Sequence, residues 1–273
     1  MPAAGRPWGL ALTLLAAAGA AGCGDEDVPP APPPLPGEAD VCSAGLGESA
    51  QAILGGEIDA EDPAVVAVNT LDIDCTRAGA PACTGTLVAP DVVLTAAHCV
   101  GEYPPESFGV LFGAQADAGR GPLGSGLDGS FFRVIGIRIH PDFDAMALSN
   151  DVALLKLEAE TSVAPAAMLA EPMEASPVGA RARIVGFGLA EGEPAYAKRR
   201  GTVAVTAASP GEITYGNDPS MTCSGDSGGP VFLTVQGLEV LIGVTSRGDP
   251  ACADHGVGVR VDTLPSEFFD DVW

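Results

Sequence analysis

Three features of this 273-residue sequence predict an all-β protein. Short apolar or alternating runs recur along it, separated by Gly, Pro, Asp and Asn. No long stretch places apolar residues at i, i+3, i+4 and i+7, apart from a short one around Glu267 to Val272 that reads as a C-terminal helix. Nor does any helix stand between successive runs, so the strands pair as antiparallel neighbours in a sandwich or barrel.

Taken in order, the chain opens on residues that belong to no strand. Arg6 is an early base, Trp8 to Ala21 is apolar and rich in Leu and Ala, and small residues follow, which is the pattern of an export signal over residues 1–22. The apolar stretch is too short for a comfortable membrane span. Next, Ala20-Ala21-Gly22-Cys23 resembles the bacterial lipobox, in which the cysteine is acylated and becomes the mature N-terminus, although the usual Leu at its first position is missing. Lipidation of Cys23 is the expectation and ordinary signal-peptidase cleavage near the same alanines the alternative; both take the protein out of the cytoplasm. From Val28 to Pro36 the sequence reads VPPAPPPLP, which favours extended polyproline II and makes a spacer within residues 23–52. Beyond Ala52 come the strand candidates VVAVNT, GTLVA, VVLT, FFRVIGIRI, VALLKL, ARIVGFG, GTVAVT, GPVFLTV, EVLIGVTS and VGVRV.

With 47% apolar residues, the chain can bury one substantial core or two small ones. Its 36 acidic and 13 basic residues give a formal charge of -23, which argues against nucleic acid or an anionic lipid surface as partner and suits a solubilising exterior. Export places the seven cysteines where disulfides persist. Setting Cys23 aside for lipid leaves six, which allow about 15 pairings that sequence alone does not decide. Metal binding is the competing use, but no CxxC or HExxH spacing occurs and only His98, His140 and His255 offer imidazole, so neither a structural metal nor a cofactor is expected.

Three segments carry chemistry: Thr95-Ala96-Ala97-His98-Cys99, Asn150-Asp151, and the glycine-rich Cys223-Ser224-Gly225-Asp226-Ser227-Gly228-Gly229-Pro230. Singly, His98 reads as a satisfied core histidine, Asp151 as a turn residue and the last segment as a flexible loop. Together they resemble the TAAHC, NDIALL and GDSGGP blocks of the chymotrypsin/trypsin-like serine proteases, in that family's order of His, Asp and Ser. The resemblance runs from Ile53-Leu54-Gly55-Gly56, which looks like the family's mature N-terminus, to the chain end.

The resemblance implies a peptidase domain over 53–273, built as two antiparallel six-stranded β-barrels with the active site between them. Ser227 is then the nucleophile, His98 its general base and Asp151 the carboxylate that fixes the histidine tautomer. The backbone N–H groups of Gly225 and Ser227 form the oxyanion hole. Disulfides follow the family at Cys83–Cys99 and Cys223–Cys252, with Cys42–Cys75 left over. Met221 stands at the floor of the primary specificity pocket, where an aspartate selects Lys or Arg, and Gly248 and Gly256 stand at its walls. An apolar floor implies cleavage after medium or large apolar residues. Ser246, Arg247 and Gly248 form the edge that pairs with substrate backbone, with Arg247 where the family usually has Trp; Phe187 replaces another customary Trp.

Processing after Ala52, by an elastase-like protease or by the enzyme itself, would free the amino group of Ile53 to pair with Asp226 and assemble the oxyanion hole, making residues 23–52 a propeptide held through Cys42–Cys75. Substrates are proteins or peptides, and the membrane is touched only through the lipid. Two rivals remain. An α/β-hydrolase esterase shares GxSxG in Gly225-Asp226-Ser227-Gly228-Gly229, but needs its acid and histidine after the serine and a helix where Pro230-Val231-Phe232-Leu233-Thr234-Val235 reads as a strand. A catalytically silent binding module on the same fold usually lacks one of the three residues, and here all three are present.

Overall fold

The computed structural model describes residues 53–71, 78–116, 129–169, 171–188, 196–216 and 218–270. The signal, Cys23, the proline spacer, Cys42, Ala52 and Cys75 lie outside the described residues.

Thirteen strands follow one another among the described residues: β1 (Glu57–Ile58), β2 (Val65–Leu71), β3 (Ala78–Ala89), β4 (Val92–Thr95), β5 (Phe108–Gly113), β6 (Gly129–Ile139), β7 (Ala153–Leu157), β8 (Arg181–Gly186), β9 (Arg199–Ala208), β10 (Glu212–Gly216), β11 (Pro230–Val235), β12 (Leu238–Gly248) and β13 (His255–Arg260). The first barrel closes in the order β2-β3-β4-β7-β6-β5, with β5 returning to β2. The second runs β9-β10-β13-β12-β11-β8 and closes through the β8–β9 pairing, and β1 is added outside the closure on β9. Every ladder is antiparallel, and each barrel has six strands as expected. Where the sequence led to a short C-terminal helix around Glu267 to Val272, the described residues hold one 3₁₀ turn over Ser266–Phe268.

Why so many strands read as unbroken apolar runs follows from where their two faces go. Successive side chains point to opposite faces. In β2, Val66 and Val68 enter the core of the first barrel, whereas Val65 and Ala67 join a cluster shared between the barrels. The same division holds for Val93 against Val92 and Leu94 in β4, and for Leu155 and Leu157 against Leu154 in β7. In β8, Ala182 and Ile184 enter the second barrel while Val185 faces the shared cluster, which also takes Phe187, Phe232 and Val244. Three cores result, two inside barrels and one between them. Each fully buried Leu, Val or Phe contributes on the order of 1.5–3 kcal/mol, so the shared layer fixes how the barrels sit. The loops bearing the candidate site residues emerge at that layer.

Candidate active site

His98 follows β4 on a single 3₁₀ turn, Ala97–Cys99, and the Cys83–Cys99 disulfide ties that turn to β3. Asp151 stands two residues before β7, after Asn150 in the left-handed region at φ 51°. The Asp151 side chain is fully buried, while that of His98 is 30% exposed. One oxygen of the carboxylate, Oδ1, accepts the backbone N–H of His98 at 2.8 Å. The other, Oδ2, contacts His98 Nδ1 at 2.6 Å and accepts the Ser246 hydroxyl at 2.6 Å. A carboxylate only accepts, so Nδ1 carries the proton and Nε2 keeps its lone pair on the open side of the ring. Burial opposes the charge on Asp151, yet the bonds from His98 and Ser246 outweigh it and hold the carboxyl below its ordinary range.

Ser246 reaches Asp151 because β12 bulges there: pairing with β13 slips between Thr245 and Arg247, and the unpaired residue is re-aimed. From the sequence Ser246 reads only as substrate-edge backbone, and its bond to Asp151 is not legible there. The guanidinium of Arg247 is pinned, donating to Glu212 Oε2 at 2.9 Å and to the Leu148 carbonyl at 3.2 Å.

Ser227 is half-buried on the loop between β10 and β11, within a turn closed by Asp226 N–H to Cys223 C=O (3.0 Å) and Gly229 N–H to Asp226 C=O (2.9 Å). Gly225 and Gly228 have φ of 93° and 82°, which a side chain would strain. The Cys223–Cys252 bridge closes the base of this loop onto the segment between β12 and β13. The loop meets the first barrel at Thr84, whose N–H donates to the Ser227 carbonyl at 2.8 Å. Among the described residues no hydrogen bond joins the Ser227 hydroxyl to His98, whose Nε2 lies 3.9 Å from Cys99 Sγ. Such contacts commonly tighten only with substrate in place.

Asp226 is fully buried. Its carboxylate accepts N–H groups from Gly188 at 3.0 Å and Cys223 at 2.9 Å, but burial dominates and pushes its pKa up to about 7. Glycine is needed at 186 and 188, because a side chain at either would run into this carboxylate. Ile53 is 1% exposed in the core of the second barrel, and Leu54 exchanges backbone bonds with Met221 at 2.7 and 3.1 Å.

Met221 is 2% exposed in the same core. Beside it lies a residue not legible from the sequence: Tyr215 on β10 is fully buried opposite Gly256 of β13, and only glycine leaves space for its ring. Its hydroxyl joins Thr222 and Thr245 at 3.1 Å each, and burial pushes its pKa up to about 12. Gly248, at the exposed end of β12, pairs with Gly256. The one grouping among the described residues with metal-ligand spacing is Cys83, His98 and Cys99, and its two sulfurs are bonded to each other.

Two six-stranded antiparallel barrels, bearing on adjoining loops a histidine held by a buried carboxylate and a serine in a glycine-rich turn, define the chymotrypsin fold. The family model described as Trypsin matches residues 71–266. A protein called Trypsin from Saccharopolyspora erythraea is 32% identical over 237 residues, covering 78% of this chain and 96% of its own length. Hypodermin-B from Hypoderma lineatum is 33% identical over 233 residues, covering 77% and 82%, and a vitellin-degrading protease from Bombyx mori is 31% identical over 173 residues, covering 56% and 62%. The chain belongs to the trypsin family of serine proteases.

Proposed function

We propose that the protein is an exported serine endopeptidase that hydrolyses peptide bonds through an acyl-enzyme on Ser227. His98 Nε2 takes the serine proton as the hydroxyl attacks the scissile carbonyl and returns it to the leaving amine. Asp151 holds the tautomer and stabilises the imidazolium, and the N–H groups of Gly225 and Ser227 receive the oxyanion. One observation carries this reading: a buried carboxylate accepts a hydrogen bond from the Nδ1–H of a solvent-facing histidine, leaving Nε2 free to accept a proton.

The primary pocket takes apolar residues, because Met221 offers a thioether where a bound cation would lose its hydration without compensation. Residues 1–22 are a signal peptide and 23–52 a propeptide anchored at Cys23. Cleavage at Ala52–Ile53, by another protease or in an autocatalytic step, turns a weakly active zymogen into the enzyme. Support for that last step comes from the burial of Ile53 beside Met221 and from a carboxylate at Asp226 that an ammonium group would stabilise.

The test is active-site titration with a fluorophosphonate, which bonds covalently to an activated serine. Stoichiometric labelling and peptide cleavage are expected from the protein processed to begin at Ile53, and both should vanish in Ser227→Ala, with turnover lower by several orders of magnitude and the fold intact. Labelling that survives the substitution refutes the assignment.

A further inference from the structure

We propose that Thr84 is a positioning residue for oxyanion stabilisation, acting through Gly225; this rests on the serine-protease reading above. Its side chain is completely buried on β3 of the first barrel, yet both partners of its hydroxyl belong to loops of the second. The hydroxyl donates to the Gly225 carbonyl at 2.9 Å and accepts the Phe187 N–H at 2.9 Å. These directions are fixed, since an amide N–H can only donate and a carbonyl can only accept. Of the twenty side chains, few other than those of Ser and Thr do both from one atom at so short a reach.

The geometry around the pair makes the contact directional. Gly225 lies at φ 93°, a conformation with little support of its own, and a Cβ there would come within 2.7 Å of Gly188 Cα. The Gly225 turn is thus wedged between Gly188 on one side and the Thr84 hydroxyl on the other. Phe187, the acceptor-side partner, is the residue before Gly188, whose N–H donates to the Asp226 carboxylate. One hydroxyl therefore sets the position of both strands of chain that enclose the buried Asp226. With the Gly225 carbonyl held, rotation about that residue is restricted and the N–H on its other side points in one direction. Oxyanion donors work by being aimed before charge develops, so loosening this residue weakens transition-state binding more than ground-state binding.

Thr84 also adjoins Cys83, whose sulfur is bonded to Cys99 beside His98. Its N–H holds the Ser227 carbonyl, and its own carbonyl takes the Thr95 hydroxyl at 2.8 Å. The Cys83-Thr84 dipeptide thus references the histidine turn and the serine turn to one point of β3.

The experiment compares Thr84→Val and Thr84→Ser with the wild type. It uses the peptide substrate best cleaved, a boronic acid of the same sequence whose adduct places an oxygen in the oxyanion hole, and the same peptide ending in a primary amide, which forms no adduct. In Thr84→Val, kcat should fall about 10- to 100-fold, less than the loss of a whole donor, with KM within about threefold. Boronate affinity should fall by the same factor as kcat/KM while amide binding holds, and Thr84→Ser should recover kcat to within a few-fold of wild type. If valine does not fold, Thr84→Ala takes its place, because alanine and serine differ there only by the hydroxyl. Equal loss of boronate and amide binding, or a serine variant as slow as valine or alanine, overturns the proposal. So does a hydroxyl-free variant with kcat within threefold of wild type. A wild type processed to begin at Ile53 that is inert to fluorophosphonate overturns the protease reading and this proposal with it, whereas a reactive one leaves the variants to decide on Thr84 alone.

Discussion

Cleavage before Ile53 should reverse the way Asp226 makes stability depend on pH. In the uncleaved chain the buried carboxyl titrates at about 7, against about 3.9 in an unfolded chain. Between those values the folded protein holds a proton that the unfolded protein has released, so raising the pH through this window favours unfolding. Three units at about 1.36 kcal/mol each give a loss of about 4 kcal/mol, complete only above about pH 7, with roughly 3 kcal/mol of it falling between pH 4.5 and 7. An ammonium group paired with Asp226 favours the charged form and drives the folded pKa down, so in the processed chain that loss disappears. At about 2–4 °C per kcal/mol for a domain of this size, the Tm of the processed form should gain roughly 6–12 °C on the unprocessed form between pH 4.5 and 7. Calorimetry of Ser227→Ala, as the full chain and as a chain released to begin at Ile53, measures this without self-digestion. The other carboxylates of residues 53–273 act in both forms and cancel in the difference. Parallel Tm curves across that window would refute the pairing.

Asp151→Asn should lower kcat by about 10⁴-fold with little change in Tm, because an amide facing His98 Nδ1 and the Ser246 hydroxyl selects the wrong tautomer; retention of a tenth of the activity would contradict the roles given to this pair. For the pocket, a peptide-library profile of the wild type should show cleavage after apolar residues with little after Lys or Arg, and Met221→Asp should shift it toward basic residues, incompletely because neighbouring loops contribute. A wild-type profile dominated by Arg would sink the pocket assignment.

Strands such as β2, β4 and β7 were readable because both their faces are buried, which makes runs such as VALLKL stand out against the turns around them, whereas β9 was readable because Val203 and Val205 alternate with more exposed neighbours. The strands that escaped lack an unbroken apolar run: in β5, which is buried on both faces, Gly109 interrupts it. β5 is closed at its far end by Gly113, β10 is a five-residue segment with polar Glu212 and Thr214, and β1 is two residues long. The residues proposed for the triad were legible as local blocks in sequence. Thr84 was not, because its meaning lies in a contact with Gly225, 141 residues away. The same holds for Ser246, whose aim depends on a bulge, and for Tyr215, whose place depends on the register that sets it opposite Gly256. Spacing along a chain records neither kind of information.

The two-residue strand β1 has a bearing on the order in which the molecule comes together. Residues 53–58 precede the first barrel in sequence but belong to the second, where Ile53 packs in the core and Glu57 pairs with Arg200, 143 positions later. A chain that emerges N-terminus first can form β2 to β7 from contiguous sequence while its leading residues still lack a seat. They become the last to dock, after β8 to β13 have formed, and so distant a closure is slow. Amide-exchange protection across the first barrel should therefore precede any activity, and the interval between them would time the arrival of the segment that begins at Ile53.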